Sequence, residues 1–576
     1  MSTFDWLVLS STLIFIIGYG AWRTRGAGAT LDSYLLGDRD ASWWGVGLSI
    51  IATQASAITF LSTPGQAYDD GMRFIQFYFG LPLAMVLIAL FAVPIYHRLK
   101  VFTAYEYLEG RFDRRTRTLA ALLFLVQRGL SNGLSLYAPA LVLSAILGWN
   151  INLTVWLLGG IMIAYTVAGG TRAVMVTQQG QVAVIFTGMV VAGYLLVHYL
   201  PPEVGFTEAL QVAGHQGKLN LVDFHFDPTD RYNFWSGMTG GLFLALSYFG
   251  TDQSQVQRYL AGRSITQSRL GLLMNGLVKV PMQFGILLIG VLLFVFYQFS
   301  PPPLTFNRPV HDRVARSAEY GPQLRTLEDA HETLFLARRQ ATTQLVEALH
   351  SDDPAQLAAA QTHLQATNAA TRGLRQQAQV LLKKAVPSAE AKDTDYVFLT
   401  FVLNYMPQGL VGLLIAVVLS AAMGSAAAGL NALASTTVID LYRPSRPHAD
   451  EAHNVQASRW AAIGWGVLGI GFATFAARLE NLIQAVNILG SLFYGTILGI
   501  FMVAFFLKRV GGKAVFWSAV VAQAVVLLLF WRTDIGYLWF NIIGSGIVVG
   551  LSLLLAAVLP AEPAIQDLTA EEPPGL

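Results

Sequence analysis

Along this chain, apolar runs of similar length alternate with polar stretches. Thirteen such runs lie near 4 to 22, 43 to 61, 74 to 97, 118 to 148, 151 to 168, 174 to 200, 234 to 260, 270 to 298, 408 to 440, 457 to 476, 480 to 507, 514 to 531 and 536 to 559. Each is long enough to cross the ~30 Å hydrocarbon core of a bilayer as a helix. The pattern predicts an all-α polytopic membrane protein in four parts. Residues 1–300 hold eight spans, 301–395 an extracellular helical insert, 396–560 five more spans, and 561–576 a disordered cytoplasmic tail. The insert opens with Pro301-Pro-Pro and reads as two helices, 326 to 349 and 354 to 384, the second capped by Asp353 with Pro354 in its first turn.

One run departs from the rest. The centre of 43 to 61 carries Thr53, Gln54, Ser56 and Thr59, small polar residues where Leu or Ile would be free of desolvation cost. Such a helix is built either to break or to let its neighbours pack closely. Irregular backbone at membrane depth persists only where it is buried in protein or lines a cavity. Broken helices offer bare carbonyls to a cation and helix ends to a solute.

Charge sets the expected orientation. Lys and Arg in the loops near Arg23 to Arg39, Arg98 to Arg117, Arg172, Arg258 to Arg269, Arg443 to Arg459 and Lys508 to Lys513 outnumber those of the opposite loops by 19 to 5. By the positive-inside rule the N-terminus is expected outside and the tail inside the cell membrane. The start, Met1-Ser-Thr-Phe-Asp5, has no basic n-region, so the first run is expected to be retained as a span. With 54% hydrophobic and 12% charged residues and a net charge of +2, the composition fits a membrane protein and gives no sign of a nucleic-acid partner. The absence of cysteine excludes disulfides, thiolate metal sites and cysteine nucleophiles. A membrane haem protein is disfavoured because none of the ten histidines lies deep in a run.

Two ionisable residues lie deep instead. Arg128 and Lys279 each stand about ten residues into a run, near mid-membrane at 1.5 Å per residue. Counted along the runs, Asp5, Asp252, Asp440 and Glu480 fall nearer the ends. Deep cations need carbonyls, water or an anion. Either they meet an anionic solute, or one of them pairs with Asp252 or snorkels to an interface.

Several stretches also resemble the sodium:solute symporter family: Gly250-Thr-Asp252-Gln253-Ser-Gln-Val-Gln257-Arg258-Tyr-Leu260, Thr103-Ala-Tyr-Glu106-Tyr-Leu-Glu109-Gly-Arg111-Phe112, Gly169-Gly-Thr-Arg-Ala-Val174 with Gln181, and Gly429-Leu-Asn431 running to Ile439-Asp440-Leu-Tyr442. They occur in family order along nearly all of the chain outside the insert. The tract Leu136-Tyr137-Ala-Pro139-Ala-Leu141 is closest to the branch that carries monocarboxylates, vitamins and iodide. The resemblance implies an inverted repeat of five plus five core helices, with one extra helix before and two after. It makes 43 to 61 the first core helix and 408 to 440 the eighth. A coupling Na+ would sit between them on the carbonyls of Ala52, Ala55 and Ala421 and the hydroxyl of Ser425. The family's second hydroxyl is here Gly424, and the aspartate of its fifth-helix motif is Gln178, so a third sodium ion is not expected.

For the solute, the resemblance points to Thr59, Tyr78, Tyr248, Lys279 and Gln484, to which the charge argument adds Arg128. Where sugar carriers place glutamine, glutamate and asparagine, this chain has Thr59, Tyr78 and Ala245, so a hexose is disfavoured. The expected function is sodium-coupled symport of a small organic anion, such as a monocarboxylate, by alternating access. Open alternatives are a proton-coupled or weakly ion-coupled carrier of a neutral solute, a transporter-like sensor, and a channel.

Overall fold

The computed structural model describes residues 1–23, 30–351, 353–387, 393–474 and 482–559, and the expected tail at 561–576 lies outside them. Among the described residues the chain is helical, with no β-strand beyond one isolated bridge between Ala41 and Gly262. The main helices are α1 (Thr3–Arg23), α2 (Trp43–Gln54), α3 (Ala57–Asp70), α4 (Leu81–Leu90), α5 (Arg114–Leu147), α6 (Ile151–His198), α7 (Gly241–Gly250) and α8 (Gln253–Leu260). They continue with α9 (Ile265–Phe299), α10 (Gly321–Leu349), α11 (Pro354–Ala385), α12 (Leu410–Thr436), α13 (Glu451–Ala473), α14 (Leu482–Phe506), α15 (Gly512–Arg532) and α16 (Trp539–Val558).

Eight helical stretches among the described residues are long and apolar enough to cross a membrane, and Thr3–Ile16 and Ile151–Val167 are shorter apolar helices. The other three expected spans differ for local reasons. Those at 43 to 61 and 234 to 260 are interrupted, and α13 carries Glu451, His453 and Arg459 in its first half. Although α6 is unbroken in helical backbone, the Tyr165 hydroxyl lies 2.8 Å from that of Thr177. In a straight helix these residues would be about 18 Å apart, so α6 bends sharply between them into two legs.

The two interruptions organise the fold. At the first, the Ala55 N–H still donates to the Ile51 carbonyl, Ser56 is extended, and α3 starts anew at Ala57. At the second, α7 ends at Gly250 and Asp252 caps α8 by accepting from the Ser254 N–H. These are the first helices of the two expected five-helix halves. Between them runs α12, the most enclosed span, its most apolar window 89% buried. Its small residues let neighbours approach: a Cβ at Gly429 would stand 2.4 Å from Asn132 Oδ1. Helices α15 and α16 pack at the edge beside α14.

Outside the bundle, α10 and α11 pair around Leu324, Ala378 and Leu382. Asp353 accepts from the Ala355 and Gln356 N–H groups, and Pro354 opens α11. The pair is tied to the spans where Arg338 Nη2 donates to the Tyr297 carbonyl at 2.7 Å, and within the insert Arg375 meets Asp393 at 3.0 Å.

Candidate functional site

A cavity of about 100 Å³ lies beside both interruptions. The first break lines it with Thr53, Gln54, Ser56 and Thr59, and α5 with Arg128, Asn132 and Ser135. Tyr78 and Ala245, Tyr248 of α7, Lys279 of α9, Ser425 of α12, and Asn487 and Tyr494 of α14 also line it. Apolar walls with a few convergent polar groups are the usual make-up of a small-molecule site. Five of the six solute residues expected from sequence therefore converge. The sixth, Gln484, does not line the cavity: it accepts from Arg231 Nη1 at 2.7 Å and donates to Gln66 Oε1 at 3.0 Å. Asn487, one turn further along α14, faces the cavity in its place. Sequence reasoning does not single out Asn132, Ser135, Asn487 or Tyr494, although their polarity within apolar runs is a signal.

The two deep cations differ in environment. Arg128 does have an acid, Asp252 Oδ1 at 3.8 Å, and it also donates to Ser254 Oγ and lies over the Tyr248 ring. The same carboxylate accepts from Ser254 N–H and Oγ–H at 2.8 and 2.6 Å and from the Tyr494 hydroxyl at 2.8 Å. Counting along an unbroken span puts Asp252 near an end, and the interruption at Thr251 is what frees it to face Arg128. Lys279 is 1% exposed, with Nζ 5.8 Å from the Tyr78 ring centroid. Among the described residues no carboxylate forms an ion pair with it.

Where the resemblance implies a cation, the residues present fit one. A helix leaves its last carbonyls without intrahelical partners. At the break, Ile51 and Gln54 carbonyls accept from Ala55 and Ser56, which leaves those of Ala52 and Thr53 without donors from the turn. Ala52, Ala55 and Ala421 are all buried, and the Ser425 hydroxyl, which donates to the Ala422 carbonyl at 3.3 Å, faces the cavity. Carbonyls and a hydroxyl are the all-oxygen donors a hard cation takes. Beside them Gln178 bridges the two elements: Ser49 Oγ donates to its Oε1 at 2.8 Å, and its Nε2 donates to Thr53 Oγ1 at 3.2 Å and the Gly424 carbonyl at 3.3 Å. A Cβ at Gly424 would sit 2.8 Å from Gln181 Oε1 and 3.3 Å from Gln178 Cγ. Room at position 424 is thus limited first by Gln181 and only then by Gln178, whose Nε2 lies 3.5 Å from the same point.

A sequence model of the sodium:solute symporter family matches residues 34–312 and 364–522. The chain belongs to this family. The internal stretch it leaves unmatched, between 312 and 364, falls within the insert. The chain of this symporter-family protein is 35% identical to the human sodium/iodide cotransporter over 332 residues, 56% of this chain and 49% of that one. It is 28% identical to the rabbit (Oryctolagus cuniculus) sodium-dependent multivitamin transporter, over 88% of this chain and 66% of the other. To the Xenopus laevis sodium-coupled monocarboxylate transporter 1 it is 26% identical, over 87% and 67%. It thus spans about half to two thirds of the curated relatives it matches. A solved Na+-coupled sialic acid symporter in a substrate-bound outward-open state superposes with a TM-score of 0.74 over 98% of this chain and 99% of the other, at 22% identity, which places the two in one fold. These relatives are transporters, not enzymes.

Proposed function

We propose that this protein is a sodium-coupled symporter of a small organic anion, of the monocarboxylate class, working by alternating access. The observation that carries the reading is Lys279, an enclosed cation in the cavity wall without a carboxylate partner among the described residues, while Arg128 is already matched by Asp252. Counted by formal charge, the cavity lacks one negative charge, and a monoanion supplies it. Iodide and monocarboxylates, named for two of the relatives, are such anions. Na+ belongs on the freed carbonyls of the α2–α3 break and on Ser425, where it would tie the break to α12. Solute and ion are coupled because each improves the binding of the other or permits the same conformational step. Thr59, Tyr78, Arg128, Tyr248 and Lys279 serve the solute. The N-terminus and the 301–395 insert face outside, and the tail is cytoplasmic.

The test is thermal stability of the purified protein against carboxylates, small inorganic anions, sugars and amino acids, in sodium and in choline buffer. A ligand at a hundred times its dissociation constant adds about 2.7 kcal/mol. Stabilisation by an anion only when sodium is present supports the reading. Equal stabilisation in both buffers removes sodium coupling, and a response confined to neutral solutes removes the anion.

A further inference from the structure

The largest buried charge that the cavity does not use is Arg258, fully enclosed in α8. A guanidinium cannot shed its proton, so the charge must be met by something. Its hydrogen bonds are long: Nε donates to the Ser254 carbonyl at 3.4 Å and Nη2 to Gln257 Oε1 at 3.3 Å. Nη1 has no partner among the described residues, and no described carboxylate pairs with the side chain. Leaving a buried charged donor unmet is costly, and a fold that keeps one has a partner for it in another state or from solution.

Its position says which partner. The first turn of α8 holds two residues of the cavity wall: Ser254 accepts from Arg128, and Gln255 Nε2 donates to the Tyr248 hydroxyl at 2.7 Å. Arg258 follows these at i+4 and i+3, so it lies on the same face of α8, one turn further from the cavity. Gln255 Oε1, in that same first turn, is also buried without a partner among the described residues. Helix α8 packs against α2, which ends at the first break, and against α12. A displacement of this first turn would release Arg128 and Tyr248 together and open the cavity toward Arg258.

We propose that Arg258 is a second anion-binding station, which receives the solute carboxylate after it leaves Lys279 and before release. This rests on the anionic reading above. The test uses the full chain in proteoliposomes with lactate and iodide as probes. Arg258→Gln is expected to keep sodium-dependent stabilisation by lactate within about twofold of wild type while slowing lactate turnover at least tenfold. Arg258→Lys keeps the charge but loses the bidentate fork, and is expected to slow lactate more than iodide; it also serves if the Gln variant does not fold. Unchanged turnover in Arg258→Gln, binding lost in step with turnover, or equal slowing of both probes by Arg258→Lys overturns the second station. If wild type responds to neither probe, the anionic reading falls and takes this one with it. If Lys279→Gln weakens binding while Arg258→Gln slows nothing, only the second station falls.

Discussion

Lys279 and Arg128 stand in one cavity but differ in what holds them, and that difference is testable residue by residue. Lys279→Gln removes the unmatched charge while keeping a polar group of similar length. Hydrogen bonds to a charged partner contribute about 1.5–3 kcal/mol, so affinity for a monoanion is expected to fall by roughly 10- to 100-fold. Titration of ligand-induced stabilisation in sodium buffer reads this directly, and full affinity would remove Lys279 from the site. Asp252→Asn should act differently. Breaking a buried pair by neutralising one partner typically costs about 3–5 kcal/mol, and Asp252 also accepts from Ser254 and Tyr494. A clear fall in melting temperature without ligand is expected, and an unchanged melt would show that the Arg128–Asp252 pair contributes nothing. The depth of both cations could be read from sequence, because helical rise is constant. Pairing with Asp252 is one of the alternatives the sequence leaves open, and which cation takes it depends on a helix interruption that brings together residues far apart in the chain.

Among the elements, the small polar residues of 43 to 61 allow two readings, a break or close packing of neighbours along an unbroken span, and the structure decides for the break. The second break, after Gly250, was not legible, because Thr251 and Asp252 follow a run with few polar residues and resemble the end of a span. Ser425 could be placed only through the family pattern, and the structure adds its cavity-facing position. If it ligates sodium, Ser425→Ala should shift sodium activation of uptake to higher concentration, and an unmoved activation curve would take it out of the site. The close approach of Gln181 to Gly424 makes a second test between elements. Gly424→Ser restores the family's second hydroxyl but forces a Cβ against Gln181 Oε1 and Gln178 Cγ. Overpacking of this kind costs about 1–3 kcal/mol. Removing the nearer atom by Gln181→Ala makes room, so the double variant is expected to lose less stability than the two single variants do in sum. Additive losses in the double variant would show that the two positions do not share that space.

For the molecule as a whole, the least legible feature is how the insert is joined to the spans. Its two helices could be read from Asp353-Pro354 and from composition, but it is joined to the spans through single long-range contacts such as Arg338 to the Tyr297 carbonyl. Within it, one contact responds to pH. His311 places Nδ1 3.1 Å from Asp312 and Nε2 2.7 Å from Glu328, which joins the short helix Arg308–Ala315 to α10. Partial burial opposes its charge, but the carboxylates of Glu328 and Asp312 outweigh this and raise its pKa above the usual histidine value. A group whose folded pKa is raised contributes stability that is complete below its unfolded value of about 6.5 and is lost as pH rises through the folded one. Hydrogen exchange over residues 308–328 should therefore be slower at pH 6 than at pH 8, beyond the intrinsic pH effect on exchange. Exchange through α5 and α12 should show no such difference. His311→Gln should remove the excess protection at pH 6. If its protection at pH 6 equals that of wild type, the histidine is not what fastens this part of the insert.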